Sequence, residues 1–197
     1  MSKANTYARL TGKTPFVIYQ GAWSILQRDF EREIIPMARA EGQHTYLAFT
    51  ALADIIRQGM ALAPWNVLGQ GKIRTDEEEE RRRQTGEAGR QMSSTLWERT
   101  PEQRKVCLAL EEVAKEVGVK SITAVAIAYV MQKTPYVFPI IGGRKVEHLH
   151  ANIEALQITL TKNHIQQIES VAPFEHGFPY NLFVCGFINW FTIWFTD

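Results

Sequence analysis

The sequence predicts an α/β fold built on parallel strands, and three observations carry that expectation. Short, nearly continuous apolar runs recur as FVIY from Phe16, MALAPW from Met60 and YVFPII from Tyr136. Such runs suit strands of a parallel sheet, which are buried on both faces. The first and third are followed by segments with apolar residues at helical spacing and the second by a glycine-bearing loop and a charged helix, and the connections have the lengths of strand-helix-strand units.

The elements follow in order. MSKANTYARLTGK has helix-like alternation and no apolar core of the kind a secretory signal needs, so cytosol is the expected location. TPFVIYQGAW opens with Pro15 and reads as a strand ending near Gln20. RDFEREIIPMARAEG then places Phe30, Ile34, Ile35 and Met37 on one helical face and closes at Gly42. The second strand runs from Met60 through Ala61, Leu62 and Ala63 to Pro64 and Trp65, and a glycine-bearing loop follows its C-terminal end, which should face a site. In DEEEERRR, Glu77, Glu78 and Glu79 stand four residues before Arg81, Arg82 and Arg83, the spacing of ion pairs on a solvated helix.

From Thr100 the signals sharpen. Pro101 suits the first helical position, Gln103 completes a capping box, Val106, Leu110, Val113 and Val117 form a buried stripe, and Gly118 ends the helix. Ser121 caps SITAVAIAYVMQ, whose alanines allow close packing before Pro135. YVFPIIGG is the third strand, and KVEHLHANIEAL a helix with Leu149, Ile153 and Leu156 on one face. A last helix starts at Thr161 with Ile165 and Ile168 inward.

Composition narrows the function. Lys and Arg total 22 against 21 Asp and Glu, which leaves no electrostatic footprint for nucleic acid or an anionic membrane. Cys107 and Cys185 form neither a CxxC pair nor a disulfide framework, so no structural metal is expected and a reducing compartment fits. The apolar stretch from Leu182 to Phe195 is shorter than the ~18 to 20 residues that cross a bilayer. FPIIGGRKVEHLHAN is the segment richest in chemistry: a strand ends in Gly142 and Gly143 and feeds a helix that opens with Arg144 and Lys145. Unpaired amides and the dipole at a helix N-terminus favour an anion, and the glycines let the backbone approach it. An ordinary strand-to-helix turn with exposed basic side chains would leave the same pattern.

TPFVIYQGAWS, RDFEREIIPMARAEG, GMALAPWNVLG, GQGKIRT, SITAVAIAYV and FPIIGGRKVEHLHANIEAL resemble, in that order, segments of fungal aryl-alcohol dehydrogenases and norsolorinic acid reductase-like proteins, which are aldo-keto reductases. The resemblance runs over most of Ala4 to Pro179. It implies a (β/α)8 TIM barrel, of which this chain is the C-terminal part. NADP(H) would lie across the C-terminal ends of the strands, without a Rossmann glycine fingerprint. It implies hydride transfer between NADP(H) and a small aldehyde, ketone or alcohol such as an aryl aldehyde or a polyketide-type ketone. By position, Gln20 would hold the nicotinamide carboxamide and Trp65 would stack near the ring. Asn66, Leu68 and Gly69 would pass the pyrophosphate, with Lys72 and Arg90 as basic contacts. Gly142 and Arg144 would meet the adenosine 2′-phosphate, and His148 and Asn152 would flank the adenine. A polar strand end would equally explain Gln20, and a core aromatic Trp65.

The resemblance also implies what the chain lacks. The catalytic Tyr, Lys, Asp and His of the family come from earlier strands, around a DTAxxYG-like motif that none of Asp29, Asp54, Asp76 or Asp197 starts, so no residue here is expected to be catalytic. The expected organisation is one domain over residues 1–181, an insertion at 43–58 and a divergent apolar tail at 182–197. A partial barrel leaves open edges, and these with the tail would favour self-association.

Overall fold

Two strands, β1 (Ile18–Ala22) and β2 (Ala61–Trp65), pair in parallel with Ile18 opposite Ala61, Gln20 opposite Ala63 and Ala22 opposite Trp65. The computed structural model describes residues 1–41, 59–87, 97–178 and 180–181. Gly42, the stretch 43–58, Arg90, Cys185 and the tail 182–197 lie outside the described residues.

The expected third strand is present as an extended segment but forms one ladder bridge, Leu62 with Val137. Leu62 N–H donates to Tyr136 O at 2.9 Å, Phe138 N–H to Leu62 O at 2.8 Å and Ile140 N–H to Pro64 O at 2.8 Å. The missing bond of this parallel ladder is the one Pro64 would donate, and proline has no N–H. β2 is therefore central, with β1 on one side and residues 136–140 on the other.

Helices α1 (Ser2–Leu10), α2 (Ile34–Glu41), α3 (Asp76–Thr85), α4 (Pro101–Glu116), α5 (Ile122–Lys133), α6 (Val146–Ile153) and α7 (Lys162–Ser170) complete the described chain. Their starts follow local chemistry. Thr100 accepts from Gln103 N–H at 3.3 Å while Gln103 Oε1 accepts from Thr100 N–H at 3.0 Å, and Thr161 with His164 forms a second reciprocal box. Ser121 Oγ caps α5 by accepting from Ala124 N–H. The helix expected from Arg28 is broken into a 3-10 turn at Asp29–Glu31 and α2, because Pro36 is tolerated only in a first turn, where its absent N–H costs nothing.

The core sits between the sheet and α4 and α5. Val106, Leu110 and Val113 are buried as expected, with Cys107 and Ala114 beside them; Val117, the helix cap, is only partly covered. In α5 every residue from Ala124 to Val130 is buried, and Ile168 of α7 joins the same cluster. Phe30 and Ile35 are buried and Ile34 partly so, and Trp23 stacks on Phe30 at 5.7 Å.

Leu149 and Ile153 on α6 and Leu156 in the turn after it are exposed, Leu149 57% and Leu156 68%, so this apolar stripe does not join the core. One expectation fails in part. In α3, Arg82 pairs with Glu78, but Glu79 turns away from Arg83 and is buried against Arg74 and Arg99. No helix among the described residues is long and apolar enough to cross a membrane.

Candidate functional site

Residues paired in a parallel ladder point to the same face, so the register sorts the candidates. Tyr19, Leu62 and Val137 face the helices and join the core. The opposite face carries Ile18, Gln20, Ala22, Ala63 and Trp65, and by alternation Phe138 and Ile140. Gln20 is exposed and Trp65 is 45% exposed, so the amide and the indole share one accessible face, and Trp65 is not the core aromatic that the run of apolar residues also allowed.

Because the strands run parallel, the turns that leave β1, β2 and the 136–141 segment emerge at one end of the sheet. The turn after β2 has an unusual backbone: Asn66 (φ 61°), Gly69 (φ 55°), Gln70 (φ 57°) and Gly71 (φ 84°) all lie in the left-handed region. Gly69 is required twice over, since a Cβ there would also come within 2.8 Å of Leu26 Cδ1. Asn66 Nδ2 donates to Gln27 Oε1 at 3.1 Å, while its Oδ1 is buried without a hydrogen-bond partner. Leu68 packs on the core.

Lys72 Nζ donates to the Glu98 carbonyl oxygen. Burial, and then the charge of Arg74, lower its pKa. Below it lies a charged cluster that the sequence did not disclose. Glu79 accepts from Arg99 N–H at 3.1 Å and from the Arg99 guanidinium, and lies 3.4 Å from Arg74 Nε. Arg99 and Arg104 both donate to Asp76 at 2.6 Å. Burial opposes the charge on Glu79, but these donors more than offset it and keep its pKa below the ordinary carboxylate value. Arg74 Nη1 donates to Gly71 O at 3.0 Å, so the cluster anchors the left-handed turn. No local spacing signals this, because Arg99 is 20 residues from Glu79.

At the third turn, Gly142 is open, while a Cβ on Gly143 would come within 2.8 Å of His148 Cβ. Lys145 stands at the N-cap of α6 with no side-chain cap bond. His148 is exposed and Asn152, one turn on, is half-buried. Arg144 is not free-standing: its Nη2 donates to Glu87 Oε1 at 3.1 Å. Arg90 lies outside the described residues.

A separate polar pocket of about 510 Å³ is lined by Arg28, Glu31, Lys133, Glu169, Phe174 and His176, among others. Arg28 is bracketed by Glu31 at 2.8 Å and Glu169 at 3.2 Å, and Glu169 also takes Lys133 and, at 2.7 Å, the Tyr129 hydroxyl. Burial first, then the charge of Glu31 and the bond to Glu169, push the Tyr129 phenol far up. Tyr19 faces the helices with its ring edge-on to Phe30. No group of three or more metal-ligating side chains lies together among the described residues.

Two paired parallel strands with a third extended segment beside them, packed on helices and with their turns gathered at one end, define an α/β protein. The chain belongs to the Aldo/keto reductase family, whose profile matches residues 1–173. It is 57% identical over 184 residues to an aryl-alcohol dehydrogenase [NADP(+)] of Phanerodontia chrysosporium, covering 93% of this chain and 43% of that protein. It is 49% identical to a probable aryl-alcohol dehydrogenase of Saccharomyces cerevisiae, covering 92% of this chain and 50% of that one. It is 45% identical to norsolorinic acid reductase B of Dothistroma septosporum, covering 91% and 40%. The chain thus spans about half the length of these relatives or less. The crystal structure of a thermostable aldo-keto reductase shares the fold with a TM-score of 0.51 at 21% identity, covering 84% of this chain and 44% of that one.

Proposed function

We propose that this chain is the cofactor-binding part of an NADP-linked oxidoreductase, and that its parallel strands are consecutive strands of a (β/α)8 barrel. On this reading residues 1–181 form the domain, 43–58 an insertion and 182–197 an appended tail. The substrate would be a small aldehyde, ketone or alcohol, with an aryl aldehyde or a polyketide-type ketone as the chemical class. The observation that carries the reading is the convergence of Gln20 and Trp65 on one accessible sheet face with the Asn66–Gly71 and Gly142–Arg144 turns at its C-terminal end.

The donor set fits a dinucleotide. Gln20 offers an amide for a carboxamide and Trp65 a flat ring for stacking. The Asn66 Oδ1 atom is a buried acceptor in need of a donor. Leu68, Gly69 and Lys72 would border the pyrophosphate, Arg90 would join them, Gly142 and Arg144 would take the 2′-phosphate, and His148 and Asn152 would flank the adenine. When bound, the nicotinamide supplies or accepts the hydride. The chain's own part is to bind and orient. The sealed Tyr129 and the core-facing Tyr19 favour a second reading, a binding or regulatory module that is not catalytic alone.

Calorimetric titration of the purified chain tests the proposal. NADP(H) is expected to bind more tightly than NAD(H). Arg144→Ala should cost one to two orders of magnitude for NADP, as loss of charge-assisted bonds of roughly 1.5 to 3 kcal/mol each implies. Equal loss for both nucleotides, or binding of neither, would refute it.

A further inference from the structure

We infer that Glu87 is a built-in occupant of the anion site on Arg144, a carboxylate latch that a ribose 2′-phosphate must displace. The inference rests on the 2′-phosphate reading of Arg144. The two residues are 57 apart in sequence, on the turns that follow β2's helix and the 136–141 segment, and the contact is a single bond from Nη2 to Oε1 at 3.1 Å.

Glu87 does not reach Arg144 by accident of a floppy loop. Gly86 ends α3 in the left-handed conformation (φ 67°), and the Glu87 N–H returns to Arg82 O at 3.1 Å. That is the backbone bond of a glycine-terminated helix, which satisfies an orphan carbonyl and fixes the direction of the next residue. α3 is itself held at its first turn by the buried Glu79 and by Asp76, and Glu87 follows the Gly86 cap at its other end.

The latch is weak by construction. The Arg144 side chain is 65% exposed, and one N–H···O contact uses a single prong of a guanidinium that offers five donors in a planar fork. An exposed pair of this type shifts an equilibrium by no more than about five-fold. A phosphate monoester can take two parallel bonds from the same fork and carries more charge, so it displaces the carboxylate. A ribose hydroxyl cannot. Glu87 therefore lowers affinity only for ligands that bear the 2′-phosphate, and it couples the α3 end to occupancy of the site.

The probes are adenosine 2′,5′-bisphosphate and 5′-AMP, titrated calorimetrically into the whole chain as wild type, Glu87→Gln, Arg144→Ala and the double variant, each first checked for an unchanged thermal melt. Glu87→Gln should tighten the bisphosphate two- to five-fold and leave 5′-AMP unchanged. Arg144→Ala should weaken the bisphosphate, and in that background the gain from Glu87→Gln should vanish. If Arg144→Ala weakens the bisphosphate but Glu87→Gln leaves it unchanged or weaker, the latch is wrong and the cofactor reading survives. If Arg144→Ala has no effect on it, both fall.

Discussion

Arg99 holds Glu79 from two directions, with its backbone N–H on Oε1 at 3.1 Å and its guanidinium on the other carboxylate oxygen. Arg74 approaches the same oxygen at 3.4 Å, and both arginine side chains are almost wholly buried. Removing the shared carboxylate leaves the buried Arg74 without a carboxylate partner and Arg99 with Asp76 alone, and breaking a buried pair in this way costs about 3 to 5 kcal/mol. Glu79→Ala should therefore lower the urea midpoint strongly without changing the slope. A loss below about 1 kcal/mol, the range of exposed pairs, would show that the cluster is not a structural anchor.

Acid should act on the same cluster. Hydrogen bonds from Arg104 first, opposed by burial and helped by Arg99, lower the Asp76 pKa to about 2. A carboxylate depressed in the folded state contributes stability that is complete above its unfolded pKa of about 3.9 and is lost as pH falls through the folded value. The window for Asp76 is thus roughly pH 4 down to 2. Glu79 and Glu169 are also lowered, so they act with the same sign, whereas burial raises Glu111, which acts with the opposite sign. Asp76→Asn should flatten the dependence of the urea midpoint on pH within that window. An unchanged slope there would assign the acid response elsewhere.

Features fixed by neighbours in sequence were the legible ones. Thr100 with Gln103, Ser121 and Thr161 cap their helices as read, because a cap needs only a side chain and an amide a few residues on. β1 and β2 were legible as apolar runs, and Gln20 and Trp65 come to one face once the register is known. Burial was less legible. Leu149, Ile153 and Leu156 have the spacing of one helical face, but spacing names a stripe and not what covers it. The Glu79 cluster and the Glu87 partner of Arg144 depend on residues 20 and 57 positions away, which no local pattern encodes.

The chain by itself should not reduce aryl aldehydes with NADPH. A phenol must be tuned toward neutral pH to act as an efficient acid, and the environment of Tyr129 moves it the other way while Glu169 takes its proton donor. Tyr19 lies on the helix side of the sheet, away from the face that carries Gln20. A spectrophotometric NADPH assay should read background for wild type, Tyr129→Phe and Tyr19→Phe alike. Turnover that either substitution abolishes would overturn this reading of the tyrosines.

The accessible sheet face gives the last prediction. Ile18, Trp65, Phe138 and Ile140 share it, Phe138 is 59% exposed, and Phe16 and Val17 continue the apolar surface at the N-terminal end of β1. Among the described residues β1 pairs only with β2, so its outer edge offers unpaired backbone groups beside that surface. Apolar patches flanked by an open edge recruit other chains. Sedimentation velocity should therefore show association that rises with concentration. Phe138→Glu should reduce it at little cost to the urea midpoint, because the ring contributes little buried surface. Removal of residues 182–197 should reduce it less if the sheet face, rather than the tail, drives assembly. A chain that sediments as a monomer at every concentration would mean that this face is not a sticky surface in solution.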